Sequence, residues 1–293
     1  MVITKVYGGL GNQMFQYAAA LCLASLRGVT VRYDLSWFRR YHLHQGFELH
    51  RVFSVEIPEA TGLDYFRVLG WRGHHWLRAQ LLRPSLRALR PAAYVQEPHY
   101  QFWPGFHSLP GRVYLDGYWH SERYFIAAER LVRDAFRFRH PLSGRNLELS
   151  QHMASCNSVA VHVRRGDFAS DPAINAVHGL TSLAYYRAAI GLTQARIEDP
   201  CYFVFSDDME WAREHLQIDA PCSYVDHNRG LESYNDLRLM SLCKHHIIAN
   251  STFSWWGAWL GQHPGQHAVA PSRWFQAQDK DTADLIPARW ERI

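Results

Sequence analysis

The sequence predicts an α/β fold built from two doubly wound domains. The N-terminus reads as strand, glycine-rich turn, helix and strand, an order that implies a parallel sheet. From residue 158 onward, apolar strand-like runs alternate regularly with helical segments. The polar stretch 140–157 between these regions is the best candidate for a linker. We therefore expect an N-terminal α/β domain over residues 1–150 and a C-terminal Rossmann-like domain over residues 151–293, whose last helix could return to the first domain.

The N-terminal domain shows one clear β-α-β unit followed by an irregular region. Its predicted elements are a strand at Val2–Tyr7, a turn at Gly8–Gly11, a helix over Asn12–Leu26 that Gly28 closes, and a strand at Val29–Tyr33. Residues 35–115 are rich in proline, histidine and aromatic side chains, and only a basic helical region can be assigned there.

The C-terminal domain contains five predicted strands with helices between them. The strands are Ser158–Val163, Tyr202–Phe205, Ser223–Val225, His246–Ala249 and His267–Ala270. The helices are Ser182–Ala195, a segment ending near Leu216, Leu231–Cys243 and an aromatic helix after Thr252.

Polar clusters follow several of these strands. Ligands of such sheets bind at the carboxyl ends of the parallel strands, so we expect these clusters to form the functional site. The clusters are His162/Arg164/Arg165/Asp167, Ser206/Asp207/Asp208 and Asn250/Ser251/Thr252, with the Gly8–Gln13 loop in the equivalent place in the first domain.

The adjacent arginines Arg164 and Arg165 indicate an anionic ligand. A guanidinium binds phosphate through strong charge-assisted hydrogen bonds. Neighbouring side chains of an extended strand point to opposite faces, so one arginine should face the ligand. The other should anchor Asp167 or a structural carboxylate, and either arginine alone could instead form an ordinary salt bridge.

The other two clusters each have two interpretations. Ser251 or Thr252 should cap the aromatic helix, whose free N–H groups could also bind a phosphate. The segment Ser206–Asp208 could cap a helix, or its carboxylates could accept hydrogen bonds from a ribose or a guanine edge. The Gly8–Gln13 loop allows close approach of backbone to a ligand but matches neither GxGxxG nor a phosphate-binding Walker loop.

Composition and charge bear on the protein's partners and its location. The net charge is +4 and no Lys/Arg run dominates, so no nucleic-acid partner is expected. Five scattered cysteines, no signal-peptide pattern and no membrane-spanning apolar run predict a cytoplasmic protein.

Residues 65–96 form a basic segment, with six arginines, interleaved leucines and no Asp or Glu. This pattern predicts a basic amphipathic helix or helix pair. It is either a solvated helix face or a surface for peripheral contact with the inner membrane or an anionic lipid-linked substrate.

Several catalytic classes are excluded by their missing motifs. No GxSxG elbow or HExxH occurs, and the His-His pairs lack partners at metal spacing. Asp279-Lys280-Asp281 spells the DxD of metal-dependent sugar-nucleotide enzymes but lies in a polar tail. We therefore expect no essential metal and no cofactor.

The motifs in their order resemble the bacterial α-1,2-fucosyltransferases of glycosyltransferase family 11. They are "GGLGNQMFQYA" (8–18), "DGYWHSERYF" (116–125), "VHVRRGDF" (161–168), "HGLTSLAYY" (178–186), "FVFSDD" (203–208) and "NSTFSWWGAWL" (250–260). The resemblance implies a GT-B architecture, two Rossmann-like domains facing across a cleft, with an acceptor-side N-terminal domain and a C-terminal domain that binds GDP-fucose. It also implies metal-independent, inverting transfer of L-fucose from GDP-β-L-fucose to the 2-hydroxyl of a galactose-terminated glycan.

The resemblance assigns roles by position. His162 and Arg164 would contact GDP, with Arg164 on the β-phosphate. Asn250, Ser251, Thr252 and Phe253 would form the phosphate and base side, Asp207 or Asp208 would serve the nucleoside, and Gly11 and Asn12 would face the diphosphate or fucose. Asp167 and His178 are both candidates for the catalytic base. His120 departs from the expected glutamine, so the family role of that side chain is not carried over.

The sequence is also compatible with two other functions. One is fucosyl transfer with another linkage, α-1,6 or onto protein, which shares the H-x-R motif. The other is a catalytically silent carbohydrate-binding protein, since the eleven tryptophans suit stacking against sugars. The paired arginines argue against that second reading, because a neutral glycan has no use for them.

Overall fold

The computed structural model describes residues 1–39, 45–81, 84–277 and 280–293, and only the backbone at residues 79, 81, 84, 87 and 167. The chain divides into two compact units, Met1–Arg139 and His140–Ile293. The division falls at the start of the polar stretch 140–157, which folds into a helix of the second unit.

The first unit contains a four-stranded parallel sheet. Its strands are β1 (Val2–Lys5), β2 (Val31–Asp34), β3 (Tyr94–Gln96) and β4 (Val113–Asp116), in the order β2-β1-β4-β3. The helices are α1 (Leu10–Arg27), α2 (Leu49–Val52), α3 (Gly62–Leu69), α4 (His75–Leu81) and α5 (Glu129–Ala135). Short 3₁₀ turns lie at Ser36–Arg39, Gly70–Gly73, Pro84–Leu89, Pro104–Ser108, Glu122–Tyr124 and Ile126–Ala128.

Helix α1 packs along this sheet and ends where the sequence predicts. Gly28 adopts the left-handed conformation (φ 60°) and its N–H bonds the carbonyls of Ala24 and Ser25, which is the usual glycine termination of a helix. The helix begins at Leu10, two residues before the predicted start, with Gly9 as its N-cap.

The second unit contains a six-stranded parallel sheet. Its strands are β5 (Asn157–Val163), β6 (Pro200–Ser206), β7 (Cys222–Val225), β8 (His245–Ile247), β9 (Ala268–Ala270) and β10 (Glu291–Arg292), in the order β10-β9-β8-β5-β6-β7. The helices are α6 (Gly144–Ser155), α7 (Gly166–Ser170), α8 (Pro172–His178), α9 (Leu183–Arg196), α10 (Met209–His215), α11 (Tyr234–Leu242) and α12 (Thr252–Leu260), with a 3₁₀ turn at Gly230–Glu232.

Buried apolar clusters cover both faces of the second sheet. One contains Val161 and Val204 with α9 and α10, and the other contains Ala160 and Phe203 with α6 and α11. Such double coverage explains why these strands read as continuous apolar runs. In place of the expected last helix, the described C-terminal residues form β10, which pairs with β9.

The α/β prediction with two parallel-sheet units is confirmed. Both sheets are wholly parallel, with helices in the connections. Among the described residues, no helix combines the length and the apolar character needed to cross a membrane.

Candidate functional site

The candidate site lies at the carboxyl ends of β5, β6 and β8 in the second unit. Strands β5 and β6 pair with Val163 opposite Ser206, and β5 is also paired with β8. The residues that follow these strand ends therefore gather at one edge of the sheet. This brings together the three polar clusters predicted for that domain.

Asp207 organises the turn that follows β5. Its Oδ2 lies 2.8 Å from Nη1 of Arg164, and its Oδ1 accepts a hydrogen bond of 2.8 Å from the backbone N–H of Arg165. A Cβ on Gly166 would lie 2.6 Å from Oδ2 of Asp207, so only glycine fits there without movement. The Arg-Arg-Gly sequence is thus shaped around one carboxylate from the neighbouring strand.

Arg165 has a separate partner. Its Nε lies 3.2 Å from Oδ2 of Asp208, and its guanidinium stacks 4.1 Å from the ring centroid of Trp211. The expected structural carboxylate of this arginine is therefore Asp208, while the Asp167 side chain lies outside the described residues. Both Arg164 and Arg165 form salt bridges, and the two side chains keep 27% and 20% of their surface exposed.

His162 is buried beside this turn, with 6% of its surface exposed. Its Nδ1 has no hydrogen-bond partner among the described residues, although its ring lies 6.0 Å from that of Phe253. Burial, aided by the Arg164 cation and opposed by Asp207, lowers the pKa of His162 to about 4. The Nδ1 atom of this neutral imidazole can therefore form one hydrogen bond with a ligand.

Ser251 caps the helix that follows β8, as predicted. Its side-chain oxygen accepts a hydrogen bond from the N–H of Phe253, and Thr252 is the first residue of α12. The start of this helix carries no acidic residue in its first turn. Its positive end is therefore suited to an anion.

The Asn250 side chain ties several loops together. Its Nδ2 donates to the carbonyls of His178, Gly179 and Trp274 at 3.0–3.3 Å, and its Oδ1 accepts from Thr181 at 2.8 Å. Asn250 is 4% exposed. These contacts give it a positioning role, and its ligand contact stays a prediction.

His178 ends α8 between two aromatic rings. Its ring stacks on Phe168 with centroids 4.7 Å apart and lies 5.3 Å from the ring of Phe275. The residue is half-buried. This packing fixes the imidazole at the loop that Asn250 holds, but the structure does not choose between His178 and Asp167 as base.

In the first unit, only Gly8 and Gly9 of the predicted Gly8–Gln13 loop precede α1, because the helix already begins at Leu10. Gly8 has a φ of 80°, and a Cβ there would lie 2.6 Å from Nδ2 of Asn12. Asn12 Oδ1 is 3.0 Å from Nε2 of His120, the residue found in place of the expected glutamine. Gly11 lies buried in the first turn of α1.

Sequence reasoning missed the two glutamines that hold this loop. Gln13 is fully buried, donates to the carbonyls of Gly8 and Gly46, and accepts from the N–H of Glu48. Gln16 accepts from the N–H of Tyr7. The signal in the sequence was the presence of two glutamines on the side of an apolar helix that is buried, since buried amides need hydrogen-bond partners.

A third missed residue is Glu97, directly after β3. Its carboxylate oxygens accept the N–H groups of Tyr118 and Trp119 at 2.7 and 3.0 Å, and Trp119 has a positive φ of 59°. Burial raises the pKa of Glu97 to about 7, against the effect of these hydrogen bonds. Strand β3 was not predicted, so the sequence did not show that Glu97 directly follows a strand.

One trio of potential metal ligands comes together within the described part of the chain. The ligand atoms of His152, Cys156 and Cys201 lie within 4.8 Å of one another. They sit near the amino ends of β5 and β6, at the edge opposite the candidate site. Asp279 of the DxD sequence lies outside the described residues.

The family model for "Glycosyl transferase family 11" matches residues 94–292, which include the strand-end site of the second unit. The chain belongs to glycosyl transferase family 11. The resemblance drawn from the motifs is thus confirmed at the level of the family, and the protein is a glycosyltransferase.

Two relatives of this family 11 glycosyltransferase differ in the sugar they are named for. An "Alpha-1,2-colitosyltransferase" from Escherichia coli is 35% identical over 302 residues, covering 100% of this chain and 99% of that protein. A "Galactoside alpha-(1,2)-fucosyltransferase 1" from Leontocebus fuscicollis is 27% identical over 261 residues, 86% of this chain and 63% of that protein. Family membership therefore leaves the donor sugar undecided.

Among solved structures, the fucosyltransferase NodZ from Bradyrhizobium superposes with a TM-score of 0.52. The match covers 87% of this chain and 90% of that one at 14% sequence identity. Together with the two parallel sheets, this likeness confirms the predicted GT-B fold of the family 11 glycosyltransferase.

Proposed function

We propose that this family 11 glycosyltransferase transfers L-fucose from GDP-β-L-fucose to the 2-hydroxyl of a galactose-terminated glycan, with inversion and without an essential metal. Support comes from the family, from the α-1,2 linkage in the names of the two relatives, and from the motif resemblance. The observation that carries the proposal is the edge where Arg164, the unpartnered Nδ1 of His162 and the start of α12 meet.

In the proposed reaction, the acceptor oxygen bonds to the anomeric carbon of fucose as the bond from that carbon to the β-phosphate oxygen breaks. The electron pair leaves with GDP, and the hydroxyl proton passes to a base. Negative charge therefore grows on the diphosphate in the transition state. A guanidinium and a helix start that face this charge stabilise the transition state more than the ground state.

Asp207 takes a different part in this proposal from the one expected. Because it accepts from Arg164 and from the Arg165 backbone, it orients the guanidinium that meets the β-phosphate. The guanidinium carries five N–H donors in a fixed plane, and the Asp207 contact is made through Nη1. A carboxylate behind an arginine also offsets part of the cost of burying its charge.

The relatives support a particular linkage but not a particular catalytic base. The α-1,2 linkage is favoured over α-1,6 or protein O-fucosylation by the relatives' names. Asp167 and His178 both stay as candidates for the base.

A second donor has specific support, since the 35% identical relative is named for colitose. Colitose is L-fucose without its 3-hydroxyl group. A site that hydrogen-bonds this hydroxyl discriminates strongly against the sugar lacking it, whereas a site without such a partner accepts both. We expect GDP-L-fucose to be used with a kcat/KM at least about tenfold above that of the colitose donor.

The test is incubation with each GDP-sugar, with EDTA present, against a panel of galactosides, followed by linkage analysis of the product. An α-1,2-linked fucoside formed in EDTA supports the proposal. Loss of activity in EDTA that Mg²⁺ or Mn²⁺ restores refutes metal independence. Calorimetry with GDP separates a transferase from a carbohydrate-binding protein, which would bind glycan and ignore GDP.

Arg164→Ala tests the catalytic assignment directly. We expect a loss of about 10²–10³ in kcat with little change in KM for the acceptor, the size seen when one charge-stabilising group is removed. Arg196→Ala removes a matched arginine that pairs with Glu291 on β10, at a surface distinct from the strand-end site, and should retain wild-type turnover. Wild-type turnover in Arg164→Ala would refute the assignment.

A further inference from the structure

The first unit exposes an unusual number of large apolar side chains in one short segment. Leu63, Phe66, Trp71 and Trp76 have 57%, 60%, 63% and 56% of their surface exposed. We call these four residues, together with Arg67 and Arg72, the aromatic–basic patch. Scattered exposed apolar residues are normal, but a concentration of this kind marks a binding surface.

The patch follows from the two faces of α3. The inner face buries Tyr65, Val68 and Leu69 in the core of the first unit. The outer face carries Leu63, Phe66 and Arg67, at the spacing that places side chains on one side of a helix. An ordinary surface helix has a polar outer face. Helix α3 differs, because Leu63 and Phe66 on its outer face are exposed to solvent.

The remaining patch residues lie beside this face. Phe66 and Trp71 line one cavity of about 860 Å³, together with His74. The His74 ring lies 6.2 Å from the ring of Trp76, and the Arg72 guanidinium lies 4.9 Å from the ring centroid of Trp71. Phe66, Trp71 and Trp76 therefore lie beside one cavity, with Arg72 on the ring of Trp71.

The charge of this surface is positive. Its charged side chains are those of Arg67 and Arg72, and the sequence segment 65–96 around them contains no Asp or Glu. The nearest acids are neutralised, because Asp64 is 5% exposed and faces Arg32 and Arg67, and Glu59 pairs with Arg39. An apolar surface with a positive charge complements the anionic surface of a membrane.

We propose that the aromatic–basic patch binds the protein peripherally to an anionic lipid bilayer. Tryptophan and phenylalanine insert their rings at the boundary between head groups and acyl chains, and arginines hold anionic head groups beside them. Arg72 stacked on Trp71 offers both interactions at one place. This inference does not depend on the donor, the acceptor or the linkage of the reaction.

The test is flotation of the full-length protein with large vesicles. One set is phosphatidylcholine alone, and the other contains phosphatidylcholine with about 40% phosphatidylglycerol. We expect binding to the anionic vesicles only, and release in high salt, because salt screens the arginine contribution. Equal partition to both vesicle types, or to neither, would overturn the proposal.

Two patch variants locate the surface. Arg67→Glu/Arg72→Glu should weaken vesicle binding by about 25-fold or more, since each basic residue near such a surface contributes about fivefold. Phe66→Ser/Trp71→Ser/Trp76→Ser should weaken it at least as much. Thermal unfolding of each variant shows whether the fold is retained.

Matched controls separate this surface from general charge or hydrophobicity. Arg130→Glu/Arg137→Glu makes the same change in net charge on α5 and the loop after it, and Leu147→Ser/Leu231→Ser removes exposed leucines from the second unit. Both control variants should bind vesicles as the wild type does. Vesicle binding that falls equally in controls and patch variants contradicts the proposal.

Two other occupants of the patch are tested in the same variants. If the wild type sediments as an oligomer, the patch variants sediment as monomers and vesicle binding is absent, the surface binds a second copy of the chain instead. If the patch variants bind vesicles normally but raise KM for a soluble galactoside, the surface belongs to acceptor binding. Either result replaces the membrane proposal.

Discussion

Arg164 Nη1 lies 2.8 Å from Asp207 Oδ2, and this ion pair is a direct result of strand register. Val163 on β5 is paired with Ser206 on β6. Arg164 and Asp207, which follow these two residues, are therefore placed opposite each other. The register therefore places the two side chains within reach of each other. It gives the arginine a fixed position before any ligand arrives.

Asp207→Ala should lower kcat by about 10–100-fold while changing the free energy of unfolding by about 1 kcal/mol or less. Stability is little affected because both partners are about a quarter exposed, and such pairs contribute little. Activity suffers because the guanidinium loses its orientation. Steady-state kinetics with denaturant unfolding checks both parts.

The matched control for that variant is Glu291→Ala. Glu291 also pairs with an arginine, Arg196, but on β10 and away from the strand-end site. It should retain wild-type kcat. Equal losses in the two variants would mean that Asp207 has no special relation to the site.

Gly166→Ala should lower both stability and kcat. The added Cβ would lie 2.6 Å from Oδ2 of Asp207, so the turn or the carboxylate must move, at a cost of about 1–3 kcal/mol. In the Asp207→Ala background the same substitution should cost clearly less, because the obstructing oxygen is gone. Denaturant unfolding of the four proteins in the double-mutant cycle measures the difference.

Gly191→Ala serves as the control glycine. It lies inside α9 with no atom within 4 Å of the added Cβ, so the substitution should raise stability by up to about 1 kcal/mol. Additive costs for Gly166→Ala and Asp207→Ala would contradict the contact described here.

Asn250→Ala should cost about 2–4 kcal/mol of folding free energy. It leaves the carbonyls of His178, Gly179 and Trp274 and the Thr181 hydroxyl short of a buried partner. Asn157→Ala loses one exposed hydrogen bond to Glu198 and should cost about 1 kcal/mol or less. Similar costs in the two variants, measured by denaturant unfolding, would show that the Asn250 contacts are not strong.

The pH dependence of stability should reveal His246. Burial lowers its pKa to about 4, and its ring accepts from Gln266 at Nδ1 while Nε2 donates to the Met240 carbonyl. The unfolded chain takes up this proton near pH 6.5 and the folded chain near pH 4. Protonation therefore favours unfolding as the pH falls between those values.

His246→Gln removes that titration. Its stability relative to the wild type should improve as the pH falls from 6.5 towards 4, by at most about 1.4 kcal/mol for each pH unit. The comparison with wild type is needed because Glu97 and Asp236, whose pKa values burial raises to about 7, act in the opposite direction. A difference that stays constant from pH 7 to pH 5 would contradict a neutral buried His246.

Much of the second unit could be predicted because its signals are local. Apolar runs gave β5 and β6 within one or two residues, and Ser251 was identified as a cap from its position before an apolar helix. The ion pair of Arg164 with Asp207 could not be predicted, because it depends on which strands are neighbours and in what register. The contact of Asp207 or Asp208 with the nucleoside, which the resemblance implies, stays a prediction.

The first unit was less predictable for a different reason. Strands β3 and β4 lie in the irregular region 35–115, where proline, histidine and aromatic residues hide any strand pattern. The basic segment 65–96 is largely helical as predicted up to residue 89, apart from residues 82–83, which lie outside the described residues, and its end forms β3. Glycines at 70 and 73 and proline at 84 divide the helical part into short pieces. Whether a side chain there faces solvent depends on packing, so the exposed Phe66 and Trp71 could not be identified from the segment alone.

The central place of β1 in its sheet has a consequence for biosynthesis. One edge of β1 is covered by β2 soon after it in the chain, but the other edge waits for β4, with Val2 paired to Val113. Long-range parallel pairing is slow to form, and an open strand edge invites misassembly. While the ribosome is still making the residues up to β4, the nascent chain therefore presents an uncovered apolar strand, and this is the period in which chaperone assistance would matter most.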